Sequence, residues 1–399
     1  MEGARSWLQT LKIRGSWGQL GNQDALTDYY PWLVTYAIGK NYPFGGSLES
    51  GIAQTSQKLE SISWEKSTTW GVGFDMSLLD CIDFSFDYYN RKTTGIIMDV
   101  PVPGSFGLSA YKDNVGAMRN RGVEMTLGYH NTWGDWTFRA NGNIAINRNE
   151  LLDLGGVSEQ IDADYSYLIN RVGDPYHSFY GYVADGLFRS QEEADAYTEK
   201  YGNPFGSAKK FKAGDIRYKD VNGDGKLTSA DRDLIGSEQP KFTFGLNLSA
   251  SWKNLDASVL LQGACGVSRY FNGEVLGTFE GDNSHPSTAW FNAWSEENPN
   301  GSFPRIAETS HTASYPNTVS SFWVFKTNYL RFKNIQIGYT LPKSWLSRLG
   351  ISRARVYYSG ENLFKIDNLP IDIDPESPSG RGSHYPQVAT NSFGINLTF

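Results

Sequence analysis

The chain has 399 residues, including 42 Gly, 12 Trp, 23 Tyr, 22 Phe and only 2 Cys, with a formal net charge of −7. That charge argues against a nucleic-acid partner, which calls for a basic balance or stripe. Two distant Cys exclude a disulfide scaffold and a cysteine-based zinc site, and aromatics this dense oppose disorder.

No apolar run approaches the roughly 18 residues that a membrane helix needs, and Met1 to Thr10 lacks the apolar core of a signal peptide. Strict period-two alternation recurs instead. Taken in chain order it predicts ten strands, over 10–19, 66–79, 82–94, 119–131, 135–149, 240–253, 255–265, 327–341, 353–364 and 390–399. In the second, Trp70, Val72, Phe74, Met76 and Leu78 share one face. In the fifth, Trp136, Phe138, Ala140, Gly142, Ile144 and Ile146 oppose Thr137, Arg139, Asn141, Asn143, Ala145 and Asn147. In the sixth, Phe242, Phe244, Leu246, Leu248, Ala250 and Trp252 oppose Thr243, Gly245, Asn247, Ser249 and Ser251. The chain closes on Phe393, Ile395, Leu397 and Phe399.

A soluble sandwich and a membrane barrel share this pattern. Length separates them, because several runs reach ten residues, as tilted membrane strands do, whereas soluble strands centre on five or six. Trp17, Trp136, Trp252 and Tyr339 sit where aromatic girdles belong. The connections also alternate. Those at 80–81, 132–134, 254 and 342–352 are short; those at 20–65, 95–118, 150–239, 266–326 and 365–389 are long. Tight turns on one side and long excursions on the other are the habit of an outer-membrane barrel. The fold expected is therefore all-β, an antiparallel transmembrane β-barrel of about ten strands with long extracellular loops. Ten strands leave little lumen for Arg14, Arg139 and the many Asn, and an open sheet leaves two bare edges. The expectation is that residues 1–399 form the C-terminal part of a larger barrel.

Several stretches carry a family resemblance. Residues Leu11 to Gln23 (LKIRGSWGQLGNQ), Gly181 to Phe188 (GYVADGLF), Gly214 to Lys226 (GDIRYKDVNGDGK), Asn328 to Asn334 (NYLRFKN), Gly338 to Pro342 (GYTLP) and Gly360 to Leu363 (GENL) together resemble SusC/RagA-type TonB-dependent outer-membrane transporters. The resemblance implies TonB-dependent import of oligosaccharides or peptides across the outer membrane of a Bacteroidetes-type cell, with a SusD-like lipoprotein as lid and the TonB complex as energy source. The family pattern also includes a plug domain, a TonB box and about 22 strands, none of which this sequence supplies in full, so the chain alone is not expected to gate or transport.

Within 150–239, residues 220–231 have EF-hand-like spacing. Asp220, Asn222 and Asp224 offer side-chain oxygens, Gly225 the turn, Lys226 its carbonyl, Thr228 a hydroxyl or a bridging water, and Asp231 the last carboxylate. Structural calcium is expected, against the alternative of an Asx turn that satisfies its own backbone. Gln191 to Tyr201 reads as a short helix with Ser190 as N-cap and Glu193 three residues on.

Loop aromatics Tyr29, Tyr30, Trp32 and Tyr36, and Trp290, Phe291 and Trp294, are candidates for substrate or lid contact, against plain packing of loop on loop. Five scattered His and the absence of G-x-S-x-G, Walker A or G-x-G-x-x-G signatures give no catalytic set, so an enzyme is not expected. The competing reading is a calcium-stabilised extracellular glycan-binding β-protein without transport.

Overall fold

The computed structural model describes residues 7–24, 33–54, 62–100, 105, 107, 111–162, 165–276, 286–346 and 350–399. Its frame is one ten-stranded sheet. The strands are β1 (Leu8–Asn22), β2 (Glu65–Leu78), β3 (Ile82–Val100), β4 (Tyr111–Trp133), β5 (Trp136–Leu154), β6 (Phe242–Trp252), β7 (Leu255–Cys265), β8 (Tyr329–Thr340), β9 (Arg353–Asp367) and β10 (Thr390–Thr398). They pair in sequence order, each antiparallel to the next. Each of the ten expected strands is present. β1 and β10 are not paired with each other among the described residues, so ten strands do not close into a small barrel here.

Register carries the alternation from strand to strand. Trp17 faces Trp70, Phe74 faces Phe86, Phe86 faces Met125, Met125 faces Ile144, Ile144 faces Phe244 and Leu248 faces Val259. The apolar rows therefore merge into one band, and the polar rows into another on the opposite face, because a single-residue slip would exchange the two. Along β5 the band from Trp136 to Ile146 spans about 25 Å at the usual strand rise and tilt, the height of a hydrocarbon core. Trp136 stacks on Trp252 at 5.6 Å at one rim; Trp70 and Tyr88 meet at 5.5 Å at the other.

The turns at the first rim are tight. Leu79 and Asp80 both adopt positive φ, as does Gly134, the backbone that matches the right-handed twist of a two-residue hairpin. The opposite end differs from expectation at one place. The stretch 95–118 is not a long loop: β3 runs on to Val100 and β4 starts at Tyr111, pairing Asp99 with Lys112. Likewise β5 continues to Leu154. These strands extend past the apolar band, where apolar residues fall on adjacent positions, as at Ile96 and Ile97 or Leu151 and Leu152, and period two fades.

The buried core lies outside the sheet, in the excursions. Residues 155–241 contain a four-stranded sheet (Glu159–Ile161, Leu168–Arg171, Ser178–Tyr182, Arg232–Ser237), a hairpin of Ala184–Leu187 with Ile216–Tyr218, and the helix Gln191–Tyr201. The helix has the expected limits, and the Ser190 side chain accepts from the Glu193 N–H. These elements pack with the excursion after β7. Phe179, Phe188, Ile216, Tyr218, Tyr270, Phe271, Tyr315 and Trp323 form one cluster.

Candidate functional site

The polar face of the sheet is the first candidate surface. Arg14 on β1 reaches Asp75 on β2 and Asp87 on β3, each at 2.8 Å, with Ser85 at 3.1 Å. Tyr89 donates to Asn147 at 3.0 Å, and Asn149 to Asn120 at 2.8 Å. Farther round, the Arg355 Nε donates to Asp256 at 2.9 Å and its terminal nitrogen to Gln336 at 2.9 Å. Glycines at 71 and 73 keep the wall low between these side chains. Residues of five successive strands, from Arg14 and Ser16 through Gly73, Asp87 and Glu124 to Asn147, enclose a concavity of about 890 Å³. The polar face of these five strands thus carries a solute-sized hollow, as the inward wall of a barrel does. Such a wall donates and accepts hydrogen bonds over a long wetted path, which suits contact with polar solutes.

The outer excursions form the second. Asp215 is buried and binds Arg305 at 2.9 Å, with the Thr312 hydroxyl at 2.9 Å, the Ser314 hydroxyl at 3.2 Å and the Lys212 N–H at 2.9 Å. Ile216 N–H donates to the Ser314 hydroxyl at 2.7 Å, and the Tyr218 hydroxyl to the Ala313 carbonyl at 2.7 Å. Complete burial pushes the Tyr218 hydroxyl well above the ordinary tyrosine range, so it stays protonated and acts as a donor. The excursion after β9, 368–389, returns over the polar face: Arg331 holds Asp374 at 2.6 Å, Lys333 holds Glu376 at 2.8 Å, and the Tyr329 hydroxyl donates to Glu376 at 2.7 Å. Tyr329 and Arg331 keep the inward parity of β8. This clamp draws the loop toward the lumen.

In the Asp-rich segment, Asp220 accepts from Gly223 at 2.7 Å and Gly225 at 2.8 Å, Asn222 from Asp224 at 2.9 Å, and Asp224 from Lys226 at 2.8 Å. Gly223 and Gly225 have positive φ. Asp231 is fully buried and accepts from Val221 at 2.9 Å and Thr228 at 2.6 Å. Thr228 and Asp231 form a reciprocal capping box on a short 3₁₀ turn. Among the described residues no group of three or more His, Cys, Asp or Glu side chains converges as a metal site. The donor set is all oxygen and fits a hard divalent cation, and each carboxylate keeps lone pairs beside its backbone contacts.

The candidate aromatics divide. Tyr29, Tyr30 and Trp32 lie outside the described residues. Tyr36 is exposed, on a small strand of residues 36–38. Trp290 is a correction: it is buried, donates to the Leu276 carbonyl at 2.7 Å and meets Phe303 and Tyr315 edge-on, each at 5.5 Å. Trp294 is half-buried over Gly214, whose positive φ and lack of a Cβ let the indole pass. Phe291 between them is 90% exposed. Cys81 and Cys265 are free.

An outward apolar band, an inward polar wall and elaborated loops at one end define a membrane β-barrel wall. Residues 4–265 match the model of the family described as TonB dependent receptor-like, beta-barrel, and the chain belongs to that family. TonB-dependent receptor P3 of Formosa agariphila is 29% identical over 421 residues, covering 98% of this chain and 40% of the relative. TonB-dependent receptor SusC of Bacteroides thetaiotaomicron is 27% identical over 408 residues, covering 98% of this chain and 38% of its own length. The chain thus spans about 40% of the length of the curated relatives it matches. The structure of the RagAB peptide importer in its open-open state superposes with a TM-score of 0.77 at 23% identity over 99% of this chain and 40% of that one, a likeness of fold.

Proposed function

We propose that this chain is the barrel portion of a SusC-like TonB-dependent transporter of the outer membrane that imports oligosaccharides or peptides. A SusD-like lipoprotein is its lid and the TonB complex its energy source. The observation that carries this reading is the division of one continuous sheet into an outward apolar band and an inward hydrogen-bonding wall, with the long excursions gathered at one end. A soluble glycan-binding protein would need a second layer over that band, and among the described residues no second sheet covers it. Exposed Tyr36, with Trp294 at the edge of the loop core, supplies aromatic surface for a sugar ring or for the lid. The test is uptake of labelled oligosaccharides and labelled peptides by source cells, with the gene intact or deleted and TonB active or disabled. Loss of one substrate class in both the deletion and the TonB-disabled cells is expected; uptake unchanged in the deletion would overturn the proposal.

We propose further that residues 220–231 hold a structural calcium ion, with Asp220, Asn222, Asp224 and Asp231 as side-chain ligands, Lys226 through its carbonyl and Thr228 directly or through water. The ion would neutralise carboxylates that otherwise repel one another across a short loop. Thermal unfolding of the loop assembly in calcium and in chelator reads this out. A calcium-dependent rise that Asp220→Ala removes is expected; an identical transition in both buffers would rule the ion out.

A further inference from the structure

The alternation continues past the outer edge of the apolar band, and beyond that edge the outward face turns basic. On β2 the row Phe74, Val72, Trp70 leads through Thr68 to Lys66. On β3 the row Phe86, Tyr88 leads through Asn90 to Lys92. On β4 Val123 leads to Arg121 and Arg119, and on β5 Ile146 leads to Arg148. Register is unbroken across these positions. Trp70 pairs with Asn90 and Thr68 with Lys92; Asn90 pairs with Arg121 and Lys92 with Arg119; Val123 pairs with Ile146 and Arg121 with Arg148. Lys66, Lys92, Arg119, Arg121 and Arg148 therefore form a belt across four adjacent strands, directly beyond the Trp70–Tyr88 contact.

The belt is unfavourable as it stands. Lys92 sits opposite Arg119, and Arg121 opposite Arg148, and like charges directly opposed on neighbouring strands destabilise a sheet. Glu150 offsets part of this, at 2.8 Å from Arg119 and 3.9 Å from Arg121. Among the described residues no acid lies within ion-pair distance of Lys66, Lys92 or Arg148, and the buried Nε of Arg119 has no hydrogen-bond partner. Beside the belt, Ile146, Arg148, Gly173, Pro175 and Lys241 help line a concavity of about 420 Å³. Asp174, also on its lining, is engaged by Arg171 at 2.6 Å.

We infer that this belt binds the phosphate-bearing headgroup of an outer-leaflet lipid, whose chains lie along Val123, Met125, Ile144 and Ile146. An anion between the opposed cations converts repulsion into charge-assisted hydrogen bonding, and the guanidinium fork suits phosphate oxygens. Continuity with the apolar band selects an amphiphile over free phosphate, because headgroup and chains are served by adjoining positions of the same strands. The inference rests on the membrane placement proposed above.

The test uses the polypeptide as cells make it. It is reconstituted in phosphatidylcholine vesicles with or without a minor fraction of a lipid bearing a phosphate monoester, then extracted in mild detergent. Retained lipid is counted by mass spectrometry. The variant is Lys92→Gln/Arg121→Gln/Arg148→Gln; the control is Arg91→Gln/Arg139→Gln, on the inward rows. Wild type and control are expected to enrich the phosphate lipid about tenfold over phosphatidylcholine, and the triple variant to lose that enrichment. Its unfolding temperature should be unchanged or higher, since repulsion has been removed. Equal enrichment in wild type and triple variant, with both inserted, overturns the inference and leaves the membrane placement standing. Failure of wild type to insert in any vesicle overturns both. Enrichment that survives millimolar inorganic phosphate marks the lipid as occupant; a belt emptied by phosphate alone is a plain anion site, and the lipid assignment falls.

Discussion

The Asp215 carboxylate and the Arg305 guanidinium meet at 2.9 Å although 90 residues separate them in the chain. With Thr312 and Ser314 on the same carboxylate oxygen, the pair ties the excursion after β5 to the excursion after β7. Asp215→Ala leaves Arg305 and two buried hydroxyls without their acceptor. It should cost the loop assembly about 3–5 kcal/mol, the usual penalty for breaking a buried pair from one side. Hydrogen exchange would show lost protection over residues 312–318 with the sheet unchanged. Full protection there would mean that the pair is dispensable.

Trp290 and Phe291 should respond in opposite ways. Trp290 is packed among Phe303, Tyr315 and Trp323, so Trp290→Ala should destabilise the loop assembly by about 3–5 kcal/mol. Phe291→Ala, at an exposed side chain, should stay within about 0.5 kcal/mol. Protease susceptibility of the loops measures both. A stable Trp290→Ala protein that had lost only ligand affinity would return Trp290 to the surface role that its burial denies.

The clamp between Arg331 and Asp374 carries a pH dependence. Burial by itself would raise the Asp374 carboxyl; hydrogen bonds from Arg331 and the Glu376 N–H, with the charges of Arg331 and Lys365, outweigh it and hold the group below the ordinary aspartate value. A carboxyl depressed in the folded state stabilises fully above its unfolded pKa, about 3.9, and the contribution is lost as pH falls through the lower folded value. Residues 368–389 should therefore stay docked at pH 5 and loosen in stronger acid, as read by limited proteolysis with an acid-active protease. Loosening that began near neutrality would point to another group.

Position in the band should decide what β6 tolerates. Phe244→Arg or Leu248→Arg places a cation on the outward face and should cost about 2–4 kcal/mol near the bilayer middle. Asn247→Arg, one residue away on the inward face, should cost far less because its charge is solvated. Refolding into bilayers under denaturant gives the three values. Near-equal costs would remove the distinction between faces.

The ten strands were legible because a sheet with one face in lipid must repeat every second residue over ten or more positions, and loops at only one rim had room to grow. Legibility failed where that constraint ends. Beyond Tyr88 on β3 and before Val123 on β4 the alternation breaks: Asn90 to Thr94 is polar on both faces, Ile96 and Ile97 are apolar neighbours, and the register shifts between Thr94 and Ile97, so the strands ran on unseen to Val100 and back from Tyr111. The same loss of contrast hid the basic belt, although stepping the outward parity two residues past the apolar rows of β4 and β5 would have reached Arg121 and Arg148, and four past that of β3 would have reached Lys92. In the irregular excursions no period exists to say that Trp290 turns inward and Phe291 outward. The motif at Gly214 to Lys226 stands out in sequence for its oxygen ligands, whereas its buried members, Asp215, Ile216 and Tyr218, hold the loop core together. Their partners at 305 and 312–314 are too distant in sequence to be read from spacing.

The central claim is that alternate residues of one strand face lipid and water. Single spin labels placed in turn at positions 243 to 249, in the polypeptide as cells make it and reconstituted in bilayers, measure it directly through collision with oxygen, which concentrates in lipid, and with a water-soluble nickel chelate. The account predicts oxygen maxima at 244, 246 and 248 and nickel maxima at 243, 245, 247 and 249, in strict alternation. Uniform access of the nickel reagent along the strand would contradict it.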